Sequence, residues 1–397
     1  MTSEKVFDAV VIGGGPAGAT AATELARSGY EVALVDRGGR IKPCGGAIPP
    51  RLIQDFQIPD SVLVAKVDGA RIVAPSGTAV DMPIDGGYVG MVDRAEFDEW
   101  LRERAAANGA ERIRGRFRRL EREADGTVQL TIETQPEDGA DKSLTTVRAR
   151  FVVGADGARS EVGRQAIPKA DQVPYVAAYH EIVETPANDF DGSRCDIYYE
   201  GKMSPDFYSW IFPHGDSISV GTGSAVKGFS LRDSVRELKE RSGLDQMRTI
   251  RREGAPIPLK PLKRWDDGQN VILAGDACGV VAPASGEGIY YAMLGGQLAA
   301  DAVTESLVTG DARKLARARK RFMKDHGKVF WVLGIMQRFW YGSDKRRERF
   351  VSICRDKDVQ RLTWEAYMHK TLGRPEPLTH ARIFFKDMAH LLGIAKA

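Results

Sequence analysis

Gly13, Gly15 and Gly18 fall at the spacing that lets a chain turn tightly out of a strand, bring its backbone against a pyrophosphate and pack the next helix on the strand. The amino end of such a helix offers free N–H groups and a positive dipole. Asp36 follows where a carboxylate accepts the ribose hydroxyls of an adenosine, and its charge repels a 2′-phosphate, so FAD or NAD fits better than NADP. Far downstream, Gly275 and Asp276 set a carboxylate where the ribityl chain of a flavin can donate to it. Gly286, Glu287, Gly288 and Ile289 then open a helix whose amides can face a ring that gains negative charge on reduction. Gly154, Ala155, Asp156, Gly157 and Arg159 form a small-residue passage between them, for which cofactor contact and backbone packing are both open. Three fingerprints at such distances are what a domain needs to enclose a whole FAD, and the chain reads as a flavoprotein.

The elements that position these residues follow from periodicity. Ala9–Ile12 is a short buried strand, Pro16–Ser28 a helix with Ala17, Ala21, Ala22 and Leu25 inward, and Glu31–Val35 the second strand. Asp93 and Glu96 have capping-box spacing and open a helix through Phe97, Leu101 and Ala105 that Gly109 closes. Ile113–Leu120, Thr127–Glu133, Phe151–Val153 and Val271–Ala274 read as further strands. Alternating Tyr, Ile, Val and Phe between 173 and 264 predict an antiparallel sheet. The expected fold is therefore α/β, with a discontinuous Rossmann-like FAD-binding domain over 1–60, 93–172 and 265–310. An antiparallel-sheet substrate domain is inserted over 61–92 and 173–264, and 311–397 forms a helical C-terminal region.

The 397 residues are 43% hydrophobic with a formal charge of +3, as in a globular protein. The positive charge is concentrated beyond residue 311, in clusters such as Arg317 to Lys324 and Lys345 to Arg349. A solvated helix face is the default for these, contact with phosphates or anionic lipid the alternative, and no nucleic acid is needed to explain them. Cys44, Cys195, Cys278 and Cys354 form no CxxC pair and no metal site, which fits a reducing cytoplasm. The amino end runs through Glu4, Lys5 and Asp8 into a strand, without the basic start and apolar middle of a secretion signal. No stretch is apolar for the roughly 20 residues that cross a bilayer. Val329–Met336, flanked by Lys324, Lys328 and Arg338, suits either a membrane interface or a packed helix.

The three fingerprints in this order resemble the flavoprotein superfamily that includes aromatic hydroxylases and geranylgeranyl reductases. Pro43, Cys44, Gly45 and Gly46 look like the reductases' PCGG-type loop. Pro205, Tyr208, Trp210, Phe212 and Pro213 match their PxxYxWxFP signature at every defined position. Ser285 to Tyr290 looks most like the branch that makes the phytyl tail of chlorophyll or bacteriochlorophyll. The resemblance implies an aromatic-hydroxylase-like architecture and FAD-dependent saturation of three isolated double bonds in a C20 prenyl chain. It further implies geranylgeranyl diphosphate or geranylgeranyl-bacteriochlorophyll as substrate and NADPH as the usual donor, and so hydrophobic a substrate leaves peripheral contact with a photosynthetic membrane open. By the same match Ala17, Asp36, Cys44, Gly45, Ala47, Arg94, Asp276, Gly288 and Ile289 fall where relatives contact FAD. His214 stands where many relatives have Lys, which puts a cationic contact to diphosphate there in doubt.

An isolated alkene is not polarised, so reduction needs concerted protonation or a stabilised cationic carbon. Aromatic faces stabilise positive charge by about 0.5 to 2 kcal/mol each and line a slot for an apolar chain. Tyr208, Trp210 and Phe212 alternate on a predicted strand and so share one face; an ordinary aromatic core is the competing reading. Cys44 has three roles open to it: proton donor, switch of its loop, or a small residue the loop tolerates. Cys278, near Asp276, has two readings, a group that approaches the flavin ring or, by default, a buried small hydrophobe, and Glu287 and Tyr290 are weaker acid candidates. The rival functions are a flavin monooxygenase on the same cradle and a non-catalytic prenyl-binding escort.

Overall fold

The computed structural model describes residues 5–38, 41–42, 44–134, 142–187 and 190–370. Pro43 of the PCGG-type loop and residues 371–397 of the basic tail lie outside the described residues. Contacts group the chain into two units: residues up to 41, 95–175 and 256–331 form the first, and 42–94, 176–255 and 332 onward the second.

In the first unit, strand Val6–Ile12 buries Ala9, Val10 and Val11 completely, the mark of a strand covered on both faces. It pairs in parallel with Val32–Asp36 and with the second half of Ser143–Gly154. Val271–Leu273 extends the sheet beside Gly154, and Glu111–Arg122 extends it beyond Val32–Asp36. Ile12 lies opposite both Val35 and Gly154, and Gly154 lies opposite Leu273. The turns after these strands therefore emerge together at the carboxyl edge of the parallel sheet, where ligands of open α/β sheets sit. The sequence pattern marked only Phe151–Val153 as a strand. The structure extends it back to Ser143 because Ser143–Ala149 pairs antiparallel with Val128–Thr134, and that exposed, polar half carries no buried run.

The second unit holds a seven-stranded sheet in the order Thr249–Pro258, Tyr175–Glu184, Ser217–Ser224, Ser209–His214, Arg194–Tyr198, Gly69–Val73, Ala79–Pro83. Arg194–Tyr198 and Gly69–Val73 run parallel, so the expected antiparallel sheet contains a parallel joint. Helix Leu231–Arg241, capped by Ser230, covers one face, packing its Val235 and Leu238 with Val183, Ile211, Ile218 and Val220 of the strands. Ile211 belongs to that core, so Trp210 and Phe212 point to the opposite face. Residues 42–60, grouped with the cofactor domain by sequence, fall in the second unit. Ala47–Ile48 pairs with Gly90 and Met91 there, and Val92 N–H donates to the Gly46 carbonyl at 2.9 Å. The helical tail is likewise divided rather than separate: helix Ala316–Trp340 contributes to both units, and Asp344–Ile353 and Lys357–His369 to the second.

Candidate active site

At the carboxyl edge of the first unit's sheet, one Asp36 oxygen accepts from Gly14 N–H and the other from Gly38 N–H, each at 2.8 Å. The side chain keeps 26% of its exposure, leaving lone pairs for a ribose. The glycines of the turn differ in what a side chain would meet. At Gly13 (φ 106°) a Cβ would strike the Ala155 carbonyl, at Gly14 the Arg102 and Asp36 side chains, and at Gly18 the Gly13 carbonyl. At Gly15 it would meet nothing within 4 Å. Three glycines thus serve the protein's own packing, while Gly15 faces open space at the amino end of helix Pro16–Arg27. That end has no side-chain cap and no acid in its first turn. Open space, free amides and a positive dipole fit a pyrophosphate.

Asp276 sits half-buried on the turn Gly275–Cys278, and a Cβ on Gly288 would lie 3.8 Å from its Oδ1. The two halves of the third fingerprint are therefore neighbours. Gly288 begins helix Ile289–Thr309 without a side-chain cap, and Ile289 is buried as its first residue. The loop before it holds Ala284 and Gly286 in the left-handed region, at φ 65° and 66°. Such strain in a non-glycine residue concentrates at functional loops. Ala17 packs beneath, since a Cβ on Gly275 would come within 2.6 Å of its own. The Asp156 side chain holds the protein's own backbone, accepting from Glu161 N–H at 2.6 Å, Val162 N–H at 3.1 Å and the Ser160 hydroxyl, and so caps the short helix Glu161–Ala166. Cys278 is wholly buried with Sγ donating to the Gly275 carbonyl at 3.1 Å, and burial pushes its thiol far up, so it is an inert hydrophobe.

In the second unit, Tyr208 stands just ahead of strand Ser209–His214. The Tyr208 and Trp210 ring centroids are 5.9 Å apart and those of Trp210 and Phe212 6.3 Å, so the three rings form one continuous wall. Trp210 lies across Gly221, where any Cβ would overlap its ring. The Cys44 loop closes the Phe212 end: a Cβ on Gly45 would come within 2.6 Å of the Phe212 ring. Gly46, at φ 71°, donates its N–H to Cys44 Sγ at 3.4 Å, and Cys44 remains a half-buried free thiol. Arg94, 7% exposed, is the first residue of helix Arg94–Ala107. His214 is buried with Nδ1 3.0 Å from the Phe212 carbonyl, and burial pulls its pKa down to about 4. The imidazole is neutral at pH 7 and supplies no cation for a diphosphate.

Helix Asp344–Ile353 braces the signature loop. Arg347, 2% exposed, donates to the carbonyls of Ser204, Pro205 and Tyr341, and Asp344 accepts from Gly201 N–H at 2.8 Å. The Lys345 to Arg349 cluster is thus not the uniformly solvated face expected, because the buried Arg347 donates to three backbone carbonyls. Sequence reasoning also missed Arg102, which is 8% exposed, donates to the Gly14 carbonyl at 3.2 Å and lies 3.7 Å from Asp36. Its signal was available: Arg94, Asp98 and Arg102 recur every fourth residue on one helix, and all three are buried. Among the described residues no acid, His and Cys cluster could hold a metal ion, and no helix is long and apolar enough to cross a membrane.

Residues 8–199 match the family described as lycopene cyclase protein. The geranylgeranyl diphosphate reductase of Rhodobacter capsulatus is 54% identical over 390 residues, covering 98% of both chains. The chain belongs to the geranylgeranyl reductase family. The geranylgeranyl diphosphate reductase of Synechocystis sp. is 33% identical, again over 98% of each chain. Among solved structures, a geranylgeranyl bacteriochlorophyll reductase-like protein from Thermoplasma acidophilum has the same fold. It superposes with a TM-score of 0.81 at 23% identity, over 93% of this chain and 98% of that one.

Proposed function

We propose that the chain is an FAD-dependent reductase that saturates the double bonds of a geranylgeranyl chain, carried as the free diphosphate or on bacteriochlorophyll, with NADPH as donor. The 54% identity over 98% of both chains with a geranylgeranyl diphosphate reductase carries this reading. Each double bond takes up a hydride and a proton, so NADPH and one proton are consumed and NADP⁺ is released. FAD, when bound, supplies the hydride. Gly15 and the helix amides after it receive the pyrophosphate, Asp36 the adenosine ribose and Asp276 the ribityl hydroxyls; Arg102 fixes the turn on which Gly15 sits. Tyr208, Trp210 and Phe212 line the prenyl chain and oppose positive charge developing on it, and Cys44 ends that wall.

The test is anaerobic. Protein whose bound flavin has been bleached by NADPH should recover its absorbance near ~450 nm when geranylgeranyl diphosphate is added. Recovery only on admitting oxygen, with an oxygenated product, would make it a monooxygenase. Protein that never retains flavin would favour the escort.

The same chemistry suggests peripheral attachment to an anionic membrane. Along helix Ala316–Trp340 the exposed positions recur every three or four residues: Lys320, Lys324 and Lys328 first, then Trp331 at 69% and Ile335 at 48% exposure. Arg317 and Arg321 are matched by Glu305 and Asp301, whereas this stripe joins cations to an interfacial Trp.

A further inference from the structure

Behind the aromatic wall lie three polar side chains that neither the cofactor crevice nor the wall accounts for. Ser219 is 0% exposed and His180 2%, and the Glu253 side chain is 11% exposed. Trp210 Nε1 is 3.0 Å from Ser219 Oγ, Ser219 Oγ is 2.9 Å from His180 Nδ1, and His180 Nε2 is bonded to Glu253 Oε2. Beyond Glu253, Arg251 approaches its other oxygen at 2.8 Å and donates to Asp93 at 2.8 and 3.0 Å.

The chemistry of the groups fixes the direction of the bonds. An indole N–H only donates, so Ser219 Oγ accepts from Trp210. The Glu253 carboxylate only accepts, so Nε2–H donates to it; in the neutral imidazole Nδ1 is then the bare nitrogen and takes the hydrogen of the Ser219 hydroxyl. All three bonds run the same way, from indole to anion. Hydrogen bonds in such a chain strengthen one another in a low-dielectric interior. A pull on the indole proton leaves more negative charge on the ring, and that charge is what a cation over its face feels.

We propose that Ser219, His180 and Glu253 are positioning residues that hold Trp210 flat over Gly221 and raise its capacity to stabilise positive charge on the prenyl chain. This rests on the assignment of Trp210 to the prenyl wall. The trio has the composition of a hydrolase triad but cannot act as one. Ser219 has no exposed surface, and its oxygen already accepts from the indole. The imidazole also offers Nδ1 to the serine and Nε2 to the carboxylate, the reverse of the hydrolytic arrangement.

The flavin-loaded protein is assayed with geranylgeranyl diphosphate as Glu253→Gln, Ser219→Ala and Trp210→Ala. Glu253→Gln should keep its flavin and lower kcat about tenfold with KM within about twofold, and the Trp210 indole N–H resonance should move upfield. Glu253→Asp should restore part of kcat. Ser219→Ala cuts the same chain without stranding a charge and should show the same split, which keeps the test decisive if Glu253→Gln folds poorly. Unchanged kcat despite a shifted resonance, or a rise in KM alone, overturns the proposal. Full activity in Trp210→Ala overturns the wall assignment itself, a separate failure.

Discussion

Cys44 is a half-buried thiol whose Sγ accepts the Gly46 N–H, in the loop that meets Phe212 through Gly45, and the proposed function gives it a part in the chemistry there. Cys44→Ala should therefore change the rate or the degree of saturation more than flavin retention, read by product mass beside flavin absorbance; an unchanged rate and product profile would leave it a passive loop residue. His214 makes a second claim testable by titration. Its folded pKa of about 4 lies below the ordinary 6.5, so above pH 6.5 both folded and unfolded chains hold it neutral. As pH falls from 6.5 towards 4 the unfolded chain binds a proton that the folded chain refuses, and stability is lost, by up to about 3 kcal/mol. The denaturation midpoint of His214→Gln should accordingly fall less steeply than that of the parent protein across this window.

At the scale of elements, the turn after Val6–Ile12 separates packing from binding. Gly18→Ala forces a methyl onto the Gly13 carbonyl and should cost about 1 to 3 kcal/mol in chemical denaturation. Gly15→Val enters open space at ordinary backbone angles, so the fold should hold while the flavin-to-protein absorbance ratio collapses. Equal loss of stability in both would remove the pyrophosphate from Gly15. These turns were legible in the sequence because glycine spacing reports backbone geometry directly, and the buried parallel strands because they are apolar throughout. The outer half of Ser143–Gly154 was not, because a polar strand paired only at the sheet margin has no distinctive pattern. That Tyr208, Trp210 and Phe212 share one face followed from alternation, while their reading as a prenyl wall rested on the PxxYxWxFP resemblance. Its support did not: Ser219, His180 and Glu253 come from three strands far apart in sequence, and only pairing of those strands brings them to one face.

At the scale of the whole molecule, the first unit carries the glycine turn and the second the aromatic wall, and the exposed stripe of helix Ala316–Trp340 is the face on which the proposed membrane attachment rests. Trp331→Glu should reduce co-sedimentation with anionic liposomes several-fold without changing turnover on the soluble diphosphate. Retention equal to the parent protein would place any membrane contact elsewhere. The central claim is that this chain adds hydrogen across prenyl double bonds. Its most direct test is the mass of the prenyl chain after anaerobic incubation of the NADPH-reduced protein with geranylgeranyl diphosphate or geranylgeranyl-bacteriochlorophyll. Stepwise gain of hydrogen pairs up to the phytyl form is the predicted result, and a prenyl chain of unchanged mass with both substrates, from protein that has retained reducible flavin, would contradict it.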